Sequence, residues 1–319
     1  MTSSPSECSP PALRPTVTWT GTEPVGRRGR DSGEGTVHGV AIVDKDAAWT
    51  SHDVVAKARG ILGTRKVGHS GTLDPDATGV LVLGVGRATK LLRFLQLLPK
   101  SYECEIVFGT ETTTLDAAGE VTATYDMVLD PAEVSAATGP LTGNIEQVPP
   151  MVSAVKIDGQ RLHDLARKGI EVERPARPVT VYRYDVEPTD DPLVYRAIVE
   201  CSSGTYVRVL AADLGRALGG GAHLRNLRRT SVGAFTLDDA TPLASVEVLP
   251  MADAVRGFPV VRVDEPVEAQ VRVGAVLDAE TLGVAGHGPW PVLSSGGELL
   301  AMYEPHGAGR VKPIVVLVG

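Results

Sequence analysis

Residues 69–79 read HSGTLDPDATG and bring together a histidine, two carboxylates and three hydroxyls with two glycines and a proline. So many breakers forbid a helix or a strand, because glycine and proline punctuate regular structure. The segment therefore reads as a loop that holds Asp74 in a set position. A carboxylate there could do several things. An Asp before Pro is a common turn residue whose side chain satisfies local backbone donors, and local sequence alone favours that reading. A P-loop needs the pattern GxxxxGK[ST], and no lysine follows the glycine here. A metal site would need His69, Asp74 and Asp76 to converge with further ligands, and no second His/Asp cluster of matching spacing occurs. A retaining glycosidase would set a second carboxylate about 5 Å away, an option the sequence leaves open.

The elements around this loop predict how it is held. HGVAIVDK (38–45) reads as a strand, and TSHDVVAKARGILG (50–63) as a helix capped by Thr50 or Ser51 and stopped at Gly63. After the loop, GVLVLGVG is a β-branched run bounded by glycines, as in a buried strand. RATKLLRFLQLL has helical spacing up to Pro99. SYECEIVFG alternates, with Tyr102, Cys104, Ile106 and Phe108 on one side. RPVTVYRYDVEP and VYRAIVECSSG read as strands; YVRVLAADLGRALG and the stretch from LDPAEVSAATG read as helices. Strands and helices without a regular βαβ repeat predict an α+β fold. A boundary falls at 245–258, and the tail that follows reads as short strands (VVRVD, AQVRVGAVL, WPVLSSGGELLAMYEP and KPIVVLVG) in a small β-barrel.

The 319 residues, 43% of them apolar and 22% charged, are those of an ordinary globular protein with more than one domain. No apolar run approaches the ~20 residues that span a bilayer. Residues 1–36, rich in Ser, Pro and Gly, lack the features of a signal peptide and read as a disordered extension. Cys8, Cys104 and Cys201 make neither a disulfide framework nor a zinc pattern. A cytoplasmic location is the expectation. The net charge of −8 argues against a nucleic-acid partner only in sum. Residues 245–319 hold five basic and nine acidic side chains, whereas 206–230 hold Arg208, Arg216, Arg225, Arg228 and Arg229 against Asp213 alone. Local charge steers a ligand, so an anionic partner on one face is permitted.

Four segments, in order, resemble the TruB family of tRNA pseudouridine synthases: RKVGHSGTLDPDATGVLVLGVGRATKLL (65–92), KSYECEIVFGTETTTLDAAGE (100–120), QVPPMVSAVKIDGQRLHDLARKG (147–169) and CSSGTYVRVLAADLGRALGGGAHLRNLRRTSVG (201–233). The tail is more weakly similar to a PUA-like RNA-binding domain. This resemblance implies a mixed, largely antiparallel sheet as catalytic domain over 37–250, with the PUA-like β-barrel at 258–319. It also implies conversion of uridine 55 in the T-loop of tRNA to pseudouridine, with no metal or organic cofactor, no guide RNA and no membrane. A monomer is the expected state. A non-catalytic protein that binds or folds tRNA is the rival reading on the same scaffold.

Residue by residue, the resemblance implies that Asp74 is a catalytic nucleophile, with C6 of the uracil and C1′ of the ribose both open as its target. Carboxylates are established covalent catalysts. The buried uridine must first be flipped out of its stack. Tyr102 is matched to a tyrosine that stacks on the target base, and Arg208 to an arginine that pairs with the aspartate and so keeps it ionised. His69 is matched to a histidine that enters the T-loop, and Leu227 to a pocket wall. Lys45, Lys156 and Arg167 are expected to contact RNA, with Arg65, Lys66, Arg161, Lys168, Arg225, Arg228 and Arg229 as further phosphate contacts. One departure concerns residues 44–51, DKDAAWTS, where the family has DKP-x-G-x-TS. Asp46 and Ala48 replace the proline and the glycine, which predicts loss of a rigid turn.

Overall fold

The alternation in 100–108 marks the centre of a large sheet. Lys100–Phe108 buries Lys100, Tyr102, Cys104, Ile106 and Phe108, while the intervening residues stay more exposed. The computed structural model describes residues 37–151, 156–157, 160–161 and 172–318. The N-terminal extension and Arg167 lie outside them.

Among the described residues the main sheet runs in the order Thr241–Pro242, Gly39–Lys45, Thr78–Val85, Ala222–Val232, Lys100–Phe108, Val194–Cys201, Arg177–Pro188, Gly143–Gln147, with Val67–His69 and Phe235–Thr236 as side branches. Its pairings are antiparallel except 222–232 with 78–85 and 39–45 with 241–242. A mixed, largely antiparallel sheet is thus what forms. The two faces of its right half differ. Tyr102, Cys104 and Ile106 pair across the strands with Val199, Ala197 and Tyr195 to floor the main core, and the helix Val207–Ala217 covers them with Val207, Leu210, Ala211 and Leu214.

Several readings of the sequence change. The stretch 86–97 is a 3₁₀ segment, Gly86–Leu91, followed by one α turn, Leu92–Leu95. The strand Ala222–Val232 was not anticipated, although it sits between two strands of the site. In the tail, AQVRVGAVL does not extend as a strand: Glu265–Arg272 is a helix, capped by the Asp264 carboxylate on the Val267 amide and started with Pro266 in its first turn. The remaining tail strands form a five-stranded sheet, curled as half a barrel, in the order Val261–Val263, Trp290–Ser294, Leu299–Pro305, Arg310–Val316, Leu277–Asp278. Leu293, Leu299 and Met302 of this sheet, with Leu317 just after it, share one apolar cluster with Val40, Ile42, Val80 and Val82 of the main sheet and Leu91 of the 3₁₀ segment.

The turn at 45–50 survives its substitutions. Ala48 adopts φ 65°, the left-handed conformation that a glycine would take without strain. Thr50 then caps the helix Ser51–Ile61 in a reciprocal box with Asp53. Ala48→Gly should therefore stabilise the protein by about 0.5–1 kcal/mol, read as an upward shift of the denaturation midpoint at unchanged m-value. An unchanged or lower midpoint would show that the turn carries no such strain.

Candidate active site

The loop 70–77 is fixed from three directions. From the helix Ser51–Ile61, the Ser51 hydroxyl accepts from the Leu73 amide at 2.8 Å and donates to the Leu73 carbonyl at 3.2 Å. From the strand Gly39–Lys45, the Lys45 ammonium donates to the carbonyls of Asp46 and Pro75, both at 2.9 Å. From the strand 222–232, the Arg229 guanidinium donates to the carbonyls of Val80 (2.7 Å), Gly71 (3.2 Å) and Thr72 (3.4 Å). Gly79 is required beside it: at φ 100°, any Cβ there would lie 2.2 Å from the Arg229 carbonyl oxygen. Lys45 and Arg229, both 1% exposed, thus spend their charge on loop carbonyls rather than turning it outward.

Asp74 projects from this loop to Arg208, whose Nε lies 3.2 Å from its Oδ2. Arg208 is no solvated helix-start arginine; it is 5% exposed. Its helix begins after Tyr206, whose backbone is clasped by the Gln147 amide: the Tyr206 amide donates to Gln147 Oε1 (2.7 Å) and Gln147 Nε2 donates to the Tyr206 carbonyl (3.1 Å). The guanidinium is held on its far side by Asp116 Oδ2 (3.3 Å) and the Thr114 carbonyl (2.9 Å). Asp116 is itself fixed by donors from the Thr114 hydroxyl and the Ala118 amide.

Asp74, Tyr102, Arg208 and Leu227 line one cavity of about 390 Å³, a volume suited to a small ligand or a single base. Burial pushes the Asp74 carboxyl above its ordinary range, with Arg208 and Lys45 pulling it back and Asp116 and Asp76 adding to the rise. Arg208 lowers the carboxyl, as its pairing implies, but desolvation outweighs the ion pair and the net shift is upward. Burial likewise raises the Tyr102 phenol, which stays protonated at neutral pH. Lys100, on the same wall, is lowered to about 8 by burial and by Arg229. His69 stands outside this cavity, at the end of Val67–His69. Its Nδ1 accepts from the Gly71 amide at 3.3 Å, and its ring meets His52 edge to face at 6.3 Å. Burial, His52 and Arg229 lower its pKa, so it presents a neutral ring suited to stacking.

The other expected RNA contacts divide. Arg228 is forked onto Asp44 (2.8 and 3.1 Å) and Arg225 is paired with Glu105 (2.6 Å). Of the five arginines in 206–230, Arg208 and Arg229 are buried, while the exposed Arg216 and Arg225 and the partly exposed Arg228 are each paired with an acid. Lys156 lies in a short hairpin, Lys156–Ile157 with Gln160–Arg161. Arg65 and Lys66 are exposed. Among the described residues, no three His, Cys, Asp or Glu side chains converge as metal ligands.

Two residues that hold the site were not singled out in the sequence. Asp116 stands alone between threonines and alanines in TTTLDAAG, and a lone acid before a turn was its only signal. Arg229 was grouped with surface cations. Because Asp116 fixes Arg208 from behind, Asp116→Ala should lower kcat by about 10- to 100-fold with little change in KM, as measured by single-turnover kinetics. Full activity in that variant would remove Asp116 from the machinery.

Residues 59–207 match the model of the TruB family pseudouridylate synthase N-terminal domain, and residues 208–269 match that of the tRNA pseudouridylate synthase B C-terminal domain. The protein named tRNA pseudouridine synthase B in Nocardia farcinica is 50% identical over 289 residues, covering 88% of this chain and 93% of that one. The protein of that name in Thermobifida fusca is 48% identical over 295 residues, covering 88% and 99%. Among solved structures, one titled as a Cbf5-Nop10-Gar1 complex superposes with a TM-score of 0.69 at 25% identity, over 88% of this chain and 85% of that one. The large mixed sheet is that of the pseudouridine synthase fold, and the chain is an isomerase. It belongs to the TruB family of pseudouridylate synthases.

Proposed function

We propose that the chain converts uridine 55 in the T-loop of tRNA to pseudouridine, with Asp74 as nucleophile. The uridine is flipped into the 390 Å³ cavity, at a cost of a few kcal/mol, and stacks on Tyr102. Asp74 adds to the nucleotide, at C6 or at C1′. The N1–C1′ bond breaks, the uracil turns, C5 bonds to C1′, C5 gives up its proton, N1 gains one, and Asp74 is released. The reaction is an isomerisation with no net redox change. Lys156 and Arg167 grip the RNA, and the enzyme acts as a cytoplasmic monomer without a guide RNA.

The observation that carries this reading is the Asp74–Arg208 pair at 3.2 Å on the wall of a cavity shared with Tyr102 and Leu227. A protein that only binds RNA gains nothing from setting a half-buried carboxylate against a buried arginine there. The RNA grip has its own support. Between residues 54 and 102 the only acids are Asp74 and Asp76, and Lys57, Arg59, Arg65, Lys66, Lys90 and Arg93 are exposed along that stretch. Phosphates are bound by such clustered cations.

The test is incubation with an unmodified tRNA transcript and mapping of pseudouridine by chemical adduct and primer extension. Conversion at the T-loop uridine is the expected result. Binding of the transcript without conversion would leave the RNA-folding rival in its place.

A further inference from the structure

Lys100 is a buried cation that no acid pairs with among the described residues. It opens the strand Lys100–Phe108 two residues before Tyr102, on the same face, and is 7% exposed. It lines the cavity that holds Asp74, Tyr102 and Arg208. Its ammonium donates to the carbonyls of Gln96 (2.8 Å) and Leu98 (2.6 Å), which leaves one of its three N–H groups without an acceptor among the described residues. Its stem lies along the loop that carries Asp74, since a Cβ on Gly71 would stand 3.6 Å from the Lys100 Cε.

The groups around Lys100 make its charge costly. Arg229 faces it from the strand Ala222–Val232 as a like charge. Cys201 faces it from Val194–Cys201 as a thiol that burial pushes up to about 11, uncharged at neutral pH. Tyr102 is a protonated phenol, and Asp74, across the cavity, is paired with Arg208. The segment 96–98 presents carbonyls and no titratable group. Lys45 makes the contrast: it is also buried on loop carbonyls, but Asp76, Asp46 and Asp74 surround it. Lys100, lowered to about 8, is still mostly charged at pH 7. Buried charges are normally paired. One left without an acid on the wall of a reaction cavity is placed for negative charge that develops during the reaction.

We propose that Lys100 is a further catalytic residue, whose remaining N–H binds a carbonyl oxygen of the flipped uracil and stabilises the negative charge that collects there. The proposal rests on the reading of the chain as a uridine isomerase. Both routes open to Asp74 call for such a group. Attack at C6 forms the Oδ–C6 bond and sends the C5–C6 π pair onto O4 as an enolate. Attack at C1′ forms the Oδ–C1′ bond while N1–C1′ breaks, and the released pair spreads from N1 over O2 and O4. In either route the C5–C1′ bond, loss of the C5 proton and gain of one at N1 restore a neutral base, so nothing is oxidised or reduced.

The experiment measures single-turnover rates on T-arm hairpins whose target is uridine, 2-thiouridine or 4-thiouridine, for the wild type and Lys100→Met. Sulfur is a poor hydrogen-bond acceptor. At one of the two positions the oxygen-over-sulfur rate ratio should therefore be about 10- to 100-fold larger in the wild type than in the variant, the worth of one hydrogen bond from a charged donor. At the other position the ratios should match. A lysine that merely caps the turn at 96–98 would slow all three hairpins alike, and equal ratios in the two proteins at both positions would overturn the proposal. Lys100→Gln, whose amide still donates to those carbonyls, supplies the same comparison where the methionine variant fails to fold. The wild type also gives a reading of its own: kcat, and not KM, should fall as the pH rises through about 8, where the ammonium loses its proton. A kcat that stays level from about pH 7 to 9 would overturn the role of Lys100 and leave the enzymatic reading intact. Failure of the wild type to convert uridine in any hairpin or full-length tRNA would overturn both.

Discussion

Asp74→Asn should bind tRNA, convert none of it and unfold at a higher temperature than the wild type. The loss of turnover should be at least ~10³-fold, as expected when a nucleophile is removed. The gain in stability follows from the sign of the Asp74 shift. A carboxyl whose pKa is raised in the folded protein holds its proton more tightly there than in the unfolded chain. It therefore costs stability above that raised value, where the charged form must be kept in a partly desolvated place, and the modest cost disappears as the pH falls below the ordinary carboxylate pKa. Here burial outweighs the pull of Arg208, so the neutral amide removes a penalty. The stability difference between the two proteins should be present at neutral pH and close toward pH 3. The same shift places the acid limb of kcat/KM in the wild type above the usual carboxylate range, because activity needs the ionised form. A variant that is less stable at pH 7, or a limb at an ordinary carboxylate value, would show that the ion pair dominates after all.

How far the site was legible depended on whether a residue's role is local. Asp74, Tyr102 and Arg208 stood in motifs whose order carried the reading, and the structure places them on one cavity. The strand 100–108 was legible because its alternation is its burial. The strand 222–232, AHLRNLRRTSV, was not. Its polar residues are paired with Glu105 and Asp44 or spent on loop carbonyls, and two register shifts break its period of two. In the tail, AQVRVGAVL looked like a strand because the window began inside a helix and left out Asp264 and Pro266, which start it. Ala48 shows the converse: a local rule predicted a lost turn, and the contacts around residues 45–50 kept it.

Arg229 is where tertiary context most changes the meaning of a residue, and Arg229→Met should be the most damaging single substitution to the fold of the site. Its side chain is 1% exposed, and it supplies the donors for Gly71, Thr72 and Val80. A methionine of similar length fills the space and leaves the buried carbonyl of Val80 and the partly buried carbonyls of Gly71 and Thr72 without those donors. Unmade hydrogen bonds of this kind cost ~1–3 kcal/mol each, partly offset by no longer burying a charge. The net loss should be about 3 kcal/mol, or roughly 6–12 °C in Tm for a chain of this size. Activity should fall about 10²-fold in the folded fraction, because the loop that carries Asp74 loses the anchor two residues before it and a shift of 1 Å suffices. Arg229→Lys should recover little of either, since a single ammonium cannot reach three carbonyls spread along the loop. Thermal melts and single-turnover rates on the three proteins decide the matter. A methionine variant that melts like the wild type and converts tRNA at its rate would mean that the loop is held by Lys45 and Ser51 alone.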